Sequence, residues 1–341
     1  MEISAIGSTT HRDSHGDKLI REELENMAFL ISSDSKPWLT EEHDLTLPPL
    51  GQWRKASVEP TEDGEFKLVM AGEIFEKEER IILPDGTDAI KRESITVNYP
   101  FVGSNQYLES QPSDTTIYYD TNDFISRDTI HGFLKELEAS SSLEFSTGET
   151  IRKALTVDPQ LIITIGTTIW ATITGSIVTK KVIDKVGEKL ADKFSDDLLE
   201  FYALVRSAII GMAKYTVPRN RRITYIIRMP TKPSIELVAQ TNDAETVLAA
   251  LHPDSLRAVQ EKIELYQESL QITMAQFLLS NKGDWSFNYL LTENGQVIGR
   301  KRSFRRKIQE IDLTTFQNKG MSISLIGKHS HPQRHNSKNT P

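Results

Sequence analysis

No charged side chain occurs between Pro159 and Thr179, the longest such interval in the chain, and any fold this chain adopts has to find a place for it. Plotted at about 100° per residue, Ile162, Ile163, Ile165, Ile169, Trp170, Ile173 and Ile177 cover one side of a helix. Thr164, Thr167, Thr168, Ala171, Thr172, Thr174 and Gly175 cover the other. About 20 uncharged residues suffice to cross a hydrocarbon core of roughly 30 Å, and small residues along one face suit helix–helix contact in lipid. Six threonines and two glycines make the run marginal for insertion, and a buried interface helix accounts for the same pattern. The spacing therefore predicts a helix over 159–179, placed at a membrane or inside a protein interface. Lys180, Lys181 and Lys185 just downstream fit either place.

The chain has 341 residues, enough for two or three domains with ordinary cores. It contains no cysteine, which excludes disulfides and thiolate–metal sites and suits a reducing compartment. The opening MEISAIGSTTHRDSHGD has neither a basic n-region nor an apolar h-region, so no secretory signal is expected. The expected location is the cytoplasm or its membrane face. A net charge of −8 argues against general nucleic-acid binding, which needs a positive field. Two basic clusters stand out locally, Arg219, Arg221 and Arg222, and Arg300, Lys301, Arg302, Arg305, Arg306 and Lys307. Each reads as a solvated face or strand edge, or as a contact for anionic lipid or nucleic acid.

In chain order, a strand over 2–7 precedes a helix in which Ile20, Leu24, Met27 and Ala28 recur, with Asp17 as its expected cap. Strands over 52–59 and 65–74 flank Thr61-Glu62-Asp63-Gly64, and 80–97 reads as a second hairpin turning at Pro84-Asp85-Gly86. Residues 101–120 show no period and read as a long loop, and a helix follows over 123–137. Helices are expected to about 195 and over 196–212. Strands follow over 223–229 and 234–240, then one or two helices over 244–268 broken near His252-Pro253. A meander of strands over 274–279, 285–291 and 296–302 is expected to show Trp285, Phe287 and Tyr289 on one face. The tail over 321–341 is polar and expected to be disordered.

Phosphate-loop, dinucleotide, nucleophile-elbow and zincin motifs are all missing from the sequence, so no cofactor is expected. His329, His331 and His335 in a polar tail do not make a metal site. What remains lies in the first half. Asp13-Ser14-His15-Gly16-Asp17 follows the opening strand, His43-Asp44 precedes Pro49-Leu50-Gly51, and Ser142-Leu143-Glu144-Phe145 follows a helix. Together with Asp63-Gly64-Glu65-Phe66, this order resembles the prohead (capsid maturation) proteases of tailed phages, whose fold is shared with herpesvirus assemblin. The resemblance covers residues 1–150.

The resemblance implies His43 as general base and Ser142 as nucleophile, because a serine hydroxyl attacks a carbonyl only when a neighbouring imidazole takes its proton. Asp44, Glu144, Asp17 and His15 are the available third members. Glu144 stands where the family has glycine, and the spacing from His43 to Ser142 is longer than expected, which leaves Ser94 as a second candidate nucleophile.

The expectation is an α+β protein with an assemblin-like, β-rich domain at 1–150 and a helical region at 151–217. A small α/β domain at 218–320 and the tail complete it. It would act as a serine endopeptidase on a polypeptide substrate. The alternative is a non-catalytic, membrane-associated or self-associating binding protein carrying a degenerate protease-like domain, held to the membrane through 159–179 or to copies of itself as a homo-oligomer.

Overall fold

The computed structural model of the chain describes residues 2–12, 18–33, 37–39, 46–94, 114–150, 158–179, 188–216, 222–308 and 333–335. These residues make a mixed α+β protein built on two sheets, with seven α-helices among them.

The first sheet is antiparallel and comprises β1 (Glu2–Thr9), β2 (Trp38–Leu39), β3 (Gly51–Pro60) and β4 (Phe66–Ile74), in the order β1-β4-β3-β2. Side chains alternate along β4, so Phe66, Leu68 and Met70 turn toward Leu24 and Ile31 of α1 (Arg21–Ser32), leaving Lys67, Val69 and Ala71 on the other face. The helix begins after Ile20, whose amide donates to the Glu23 carboxylate at 3.1 Å. Asp17, the expected cap, lies outside the described residues. The expected turn between β3 and β4 is present, and Gly64 takes the positive φ of 86° that it requires.

The second sheet has eleven strands. In chain order they are β5 (Lys77–Ile82), β6 (Asp88–Glu93), β7 (Thr115–Asp120), β8 (Phe145–Thr150), β9 (Gln160–Thr164), β10 (Ile223–Met229) and β11 (Ser234–Thr241), then β12 (Ile272–Leu279), β13 (Trp285–Thr292), β14 (Val297–Arg300) and β15 (Gln333–His335). Their spatial order is β15-β8-β7-β9-β10-β11-β12-β13-β14-β6-β5. Three neighbouring pairs are parallel, β7 with β8, β9 with β10 and β11 with β12. A parallel pair needs a crossover. These are supplied by α2 (Arg127–Ser140), by α3 (Thr167–Thr179) with α4 (Glu188–Tyr215), and by α5 (Ala244–Ala250) with α6 (Pro253–Gln267). All five helices join one core with one face of the sheet, through residues such as Phe133, Ile173, Phe201, Val247 and Ile263 against Ile163, Leu237 and Phe277. The last helix, α7 (Lys301–Ile308), follows β14 directly.

Several expectations are corrected. The uncharged run is not one helix: 160–164 is a strand and the helix starts only at Thr167. Leu161 and Ile163 enter the helical core while Ile162 packs on the opposite face with Ile226 and Val238. A strand buried on both faces is apolar without alternation, which is the composition a buried helix also has. No helix among the described residues is long and apolar enough to cross a membrane. The loop expected over 101–120 ends earlier, because Thr115–Asp120 is an interior strand between β8 and β9, and 101–113 lie outside the described residues. The boundaries expected at 150 and 217 fall inside the eleven-stranded sheet, whose strands come from all three expected domains and, through β15, from the expected tail. The helices expected to meet near Ser195 are one continuous helix of 28 residues among those described.

The meander is present, but Trp285, Phe287 and Tyr289 do not share a face. The register shifts so that Phe287 pairs with Phe277 and Tyr289 with Gln276, leaving Asn288 as an extra residue. This bulge sends Phe287 into the helical core and Tyr289 to the other side, against Phe75, Leu291 and Phe304. The strand expected over 296–302 stops at Arg300, and the basic cluster that follows is helical.

The β5–β6 turn is tied down by Asp85, which accepts from the Tyr266 hydroxyl at 2.8 Å and faces the Lys262 ammonium at 3.0 Å. Burial alone would raise this carboxyl, but the Thr87 hydroxyl and amide, Lys262 and Tyr266 outweigh it and hold the pKa at about 2. A depressed carboxylate adds stability above its unfolded pKa, and that stability is lost as pH falls through the folded value. Asp85→Asn should therefore cost about 2 kcal/mol at pH 7, and denaturant titrations should show the gap to wild type closing between about pH 4 and pH 2.

Candidate functional site

Ser142 lies in the turn from α2 to β8. Ser126 caps the start of α2, and at its end the Ser140 hydroxyl donates to the Leu137 carbonyl at 2.8 Å. Ser141 is buried and its Oγ accepts from the Leu143 amide at 3.0 Å, a local turn that ends the helix. The Ser142 amide then donates to Glu200 Oε2 of α4 at 2.6 Å. That bond, with help from the Ser141 and Ser142 hydroxyls, holds the Glu200 carboxyl below its usual range. Glu200 is thereby made a weaker base, the opposite of what a serine nucleophile needs from its neighbour. Ser142 and Glu144 are both exposed in this turn.

His43, Asp44, His15 and Asp17 lie outside the described residues. Thr46, the first described residue after His43 and Asp44, gives its carbonyl to the Asn288 amide at 2.6 Å. Asn288 is on β13 and Ser142 precedes β8, six strands away, or about 29 Å measured along the sheet. Among the described residues, His11 pairs with Asp63 at 2.6 Å at one end of the first sheet, His252 caps α6, and His335 on β15 pairs in register with Phe145, three residues after Ser142. His131 is on α2, eleven positions before Ser142, or about 16 Å along a helix. Ser94 follows β6, and its Oγ accepts from Arg54 Nη2 at 3.2 Å. Arg54 is in turn paired with Glu73 at 2.8 Å, so the Ser94 hydroxyl oxygen is engaged by a guanidinium that is itself held by an acid. No group of three or more His, Cys, Asp or Glu able to hold a metal occurs among the described residues.

A different cluster forms on the face of the large sheet turned away from the helices. Register places Thr116, Thr164, Arg228, Glu236, Gln276 and Tyr289 side by side on six successive strands. Arg228 Nε donates to Glu236 Oε1 at 2.9 Å, and Gln276 Nε2 reaches Glu236 Oε2 at 3.4 Å and the Tyr289 hydroxyl at 3.3 Å. Asn288 Nδ2 donates to Gln276 Oε1 at 2.8 Å as well as to Thr46, and its Oδ1 accepts from Ser303 Oγ at 2.6 Å. Gln276, Asn288, Tyr289 and Ser303 are buried, and burial pushes the Tyr289 hydroxyl far above its usual pKa. The hydroxyl therefore stays protonated. A buried network of this kind fixes geometry, and it anchors Thr46 to the large sheet.

Sequence reading missed this row. Each member is a single polar residue in an apolar strand, and only the register brings them into line.

The fold and its sites define a mixed α+β protein whose polar clusters are structural where they are buried. A scan against protein-family models, a search of curated proteins and a search of solved structures each found no match. The likeness to prohead proteases rests on the short patches quoted above.

Proposed function

We propose that the chain is a non-catalytic, self-associating binding protein, its first half a degenerate relative of the assemblin-type proteases. The observation that carries this reading is the contrast between two sheet edges. β5 closes one edge of the large sheet with Lys77, Glu78, Glu79 and Arg80, and charge of that density discourages further strand pairing. β1 closes an edge of the small sheet with eight residues, no proline and Glu2 as its one charge, and Ile6 is 42% exposed. Among the described residues β1 pairs on one side only. Such an edge takes up a further strand, and the β1 of a second copy satisfies both edges at once by two-fold symmetry. The engagement of Ser142 with Glu200 supports the non-catalytic half of the reading.

Sedimentation of the full chain should show a dimer at micromolar concentration, and Ile6→Lys should shift it to monomer without changing its circular dichroism. A wild type that stays monomeric over the whole range, or an Ile6→Lys variant that still associates, removes the edge from consideration. A fluorophosphonate probe should leave Ser142 unlabelled. Covalent labelling at that residue would return the chain to the serine peptidases.

A further inference from the structure

We propose that the junction of β14 and α7 binds a phosphate-bearing anion between Arg300 and Arg302. Arg300 Nη1 donates to Ser286 Oγ at 2.8 Å, and Arg302 Nη2 donates to the same oxygen at 3.3 Å. Their terminal nitrogens are thus no more than about 6 Å apart, the sum of the two hydrogen-bond lengths. Neither guanidinium has a carboxylate partner among the described residues. Several other arginines do have one: Arg54 pairs with Glu73, Arg80 with Asp88, and Arg228 with Glu236.

The acids within electrostatic reach are already engaged. Asp85 is held by Lys262 and Tyr266, and Asp88 takes a two-bond grip from Arg80 at 2.8 and 3.0 Å. With Lys301 beside them, five cations share two carboxylates on a chain whose net charge is −8. Burial and the charge of Arg302 both disfavour the charged form of Arg300, a cost that a bound anion would offset. Ser286 accepts from both arginines, so its own O–H is left to donate. Two guanidinium forks and one hydroxyl therefore converge as donors where an acceptor of several oxygens fits, and a phosphate meets that demand with bidentate geometry. The site stands whether or not the chain self-associates.

The test is calorimetric titration of the full chain with inorganic pyrophosphate, paired with flotation on phosphatidylcholine vesicles with and without a phosphoinositide. Saturable binding of pyrophosphate with one site per chain is expected, weakened about tenfold or more in Arg300→Gln/Arg302→Gln, as the loss of charge-assisted bonds implies. Binding of pyrophosphate alone assigns the site to a free phosphate ester, and added flotation with the phosphoinositide assigns it to a lipid headgroup. Because Arg302 is exposed, Arg302→Gln alone keeps the test open if the double variant does not fold. No saturable binding in either arm, or binding that both variants retain in full, overturns the proposal.

Discussion

Asn288→Ala should lower the stability of the chain by about 3 kcal/mol or more, read as the shift in a urea unfolding curve. The side chain is 1% exposed and joins three partners, the Thr46 carbonyl, Gln276 Oε1 and Ser303 Oγ. Alanine removes all three bonds from a buried cluster, and each buried bond lost without a replacement costs about 1–3 kcal/mol. Ser303→Ala removes one bond and should cost only about 1 kcal/mol, which separates the hub from its spokes. A local readout is available as well. Thr46 is attached to the large sheet by this amide, so limited proteolysis of Asn288→Ala should cut the chain between Thr46 and Leu50 faster than in wild type. An unchanged curve and an unchanged cleavage pattern would show that Asn288 anchors nothing.

Much of the local structure was legible because local chemistry decides it. The hairpins at Thr61–Gly64 and Pro84–Gly86 follow from turn residues that can adopt positive φ, 86° at Gly64 and 82° at Gly86, between strands of alternating pattern. His252-Pro253 was legible as a break because proline is welcome at the first position of a helix and nowhere later in it. The partners chosen by β7 and β9 were not legible. A strand buried on both faces loses the alternation that marks strands, so Gln160–Thr164 merged with the helix after it, and Thr115–Asp120 was hidden at the end of a polar stretch. Nor could the sequence announce a bulge at Asn288. That one extra residue reverses which face Tyr289 occupies, and with it the makeup of the polar row. The candidate catalytic residues were legible only as short patches. Whether such a patch marks chemistry or packing depends on neighbours distant in the chain, as Ser142 shows with Glu200 and Ser94 with Arg54.

Gly51→Ala is expected to destabilise the small sheet by more than about 3 kcal/mol, with a red shift in tryptophan emission as Trp53 and Trp38 lose their packing. A Cβ on Gly51 would stand 1.8 Å from the Glu73 carbonyl oxygen, 2.8 Å from its carbon and 3.0 Å from the Ile74 Cα. These are backbone atoms, so no side chain can rotate aside and the two strands have to separate. Gly64→Ala is the control: its φ of 86° is strained for alanine, but nothing lies within 4 Å, so about 1 kcal/mol should be lost. The difference between the two bears on function. Gly51 belongs to the Pro49-Leu50-Gly51 patch that helped suggest a protease, yet it sits on a strand paired on both sides, with Leu39 and with Ile74. Its glycine is required by that close approach whether or not anything is cleaved. If Gly51→Ala folds as well as wild type, the strands do not meet this closely, and the packing account of that patch fails.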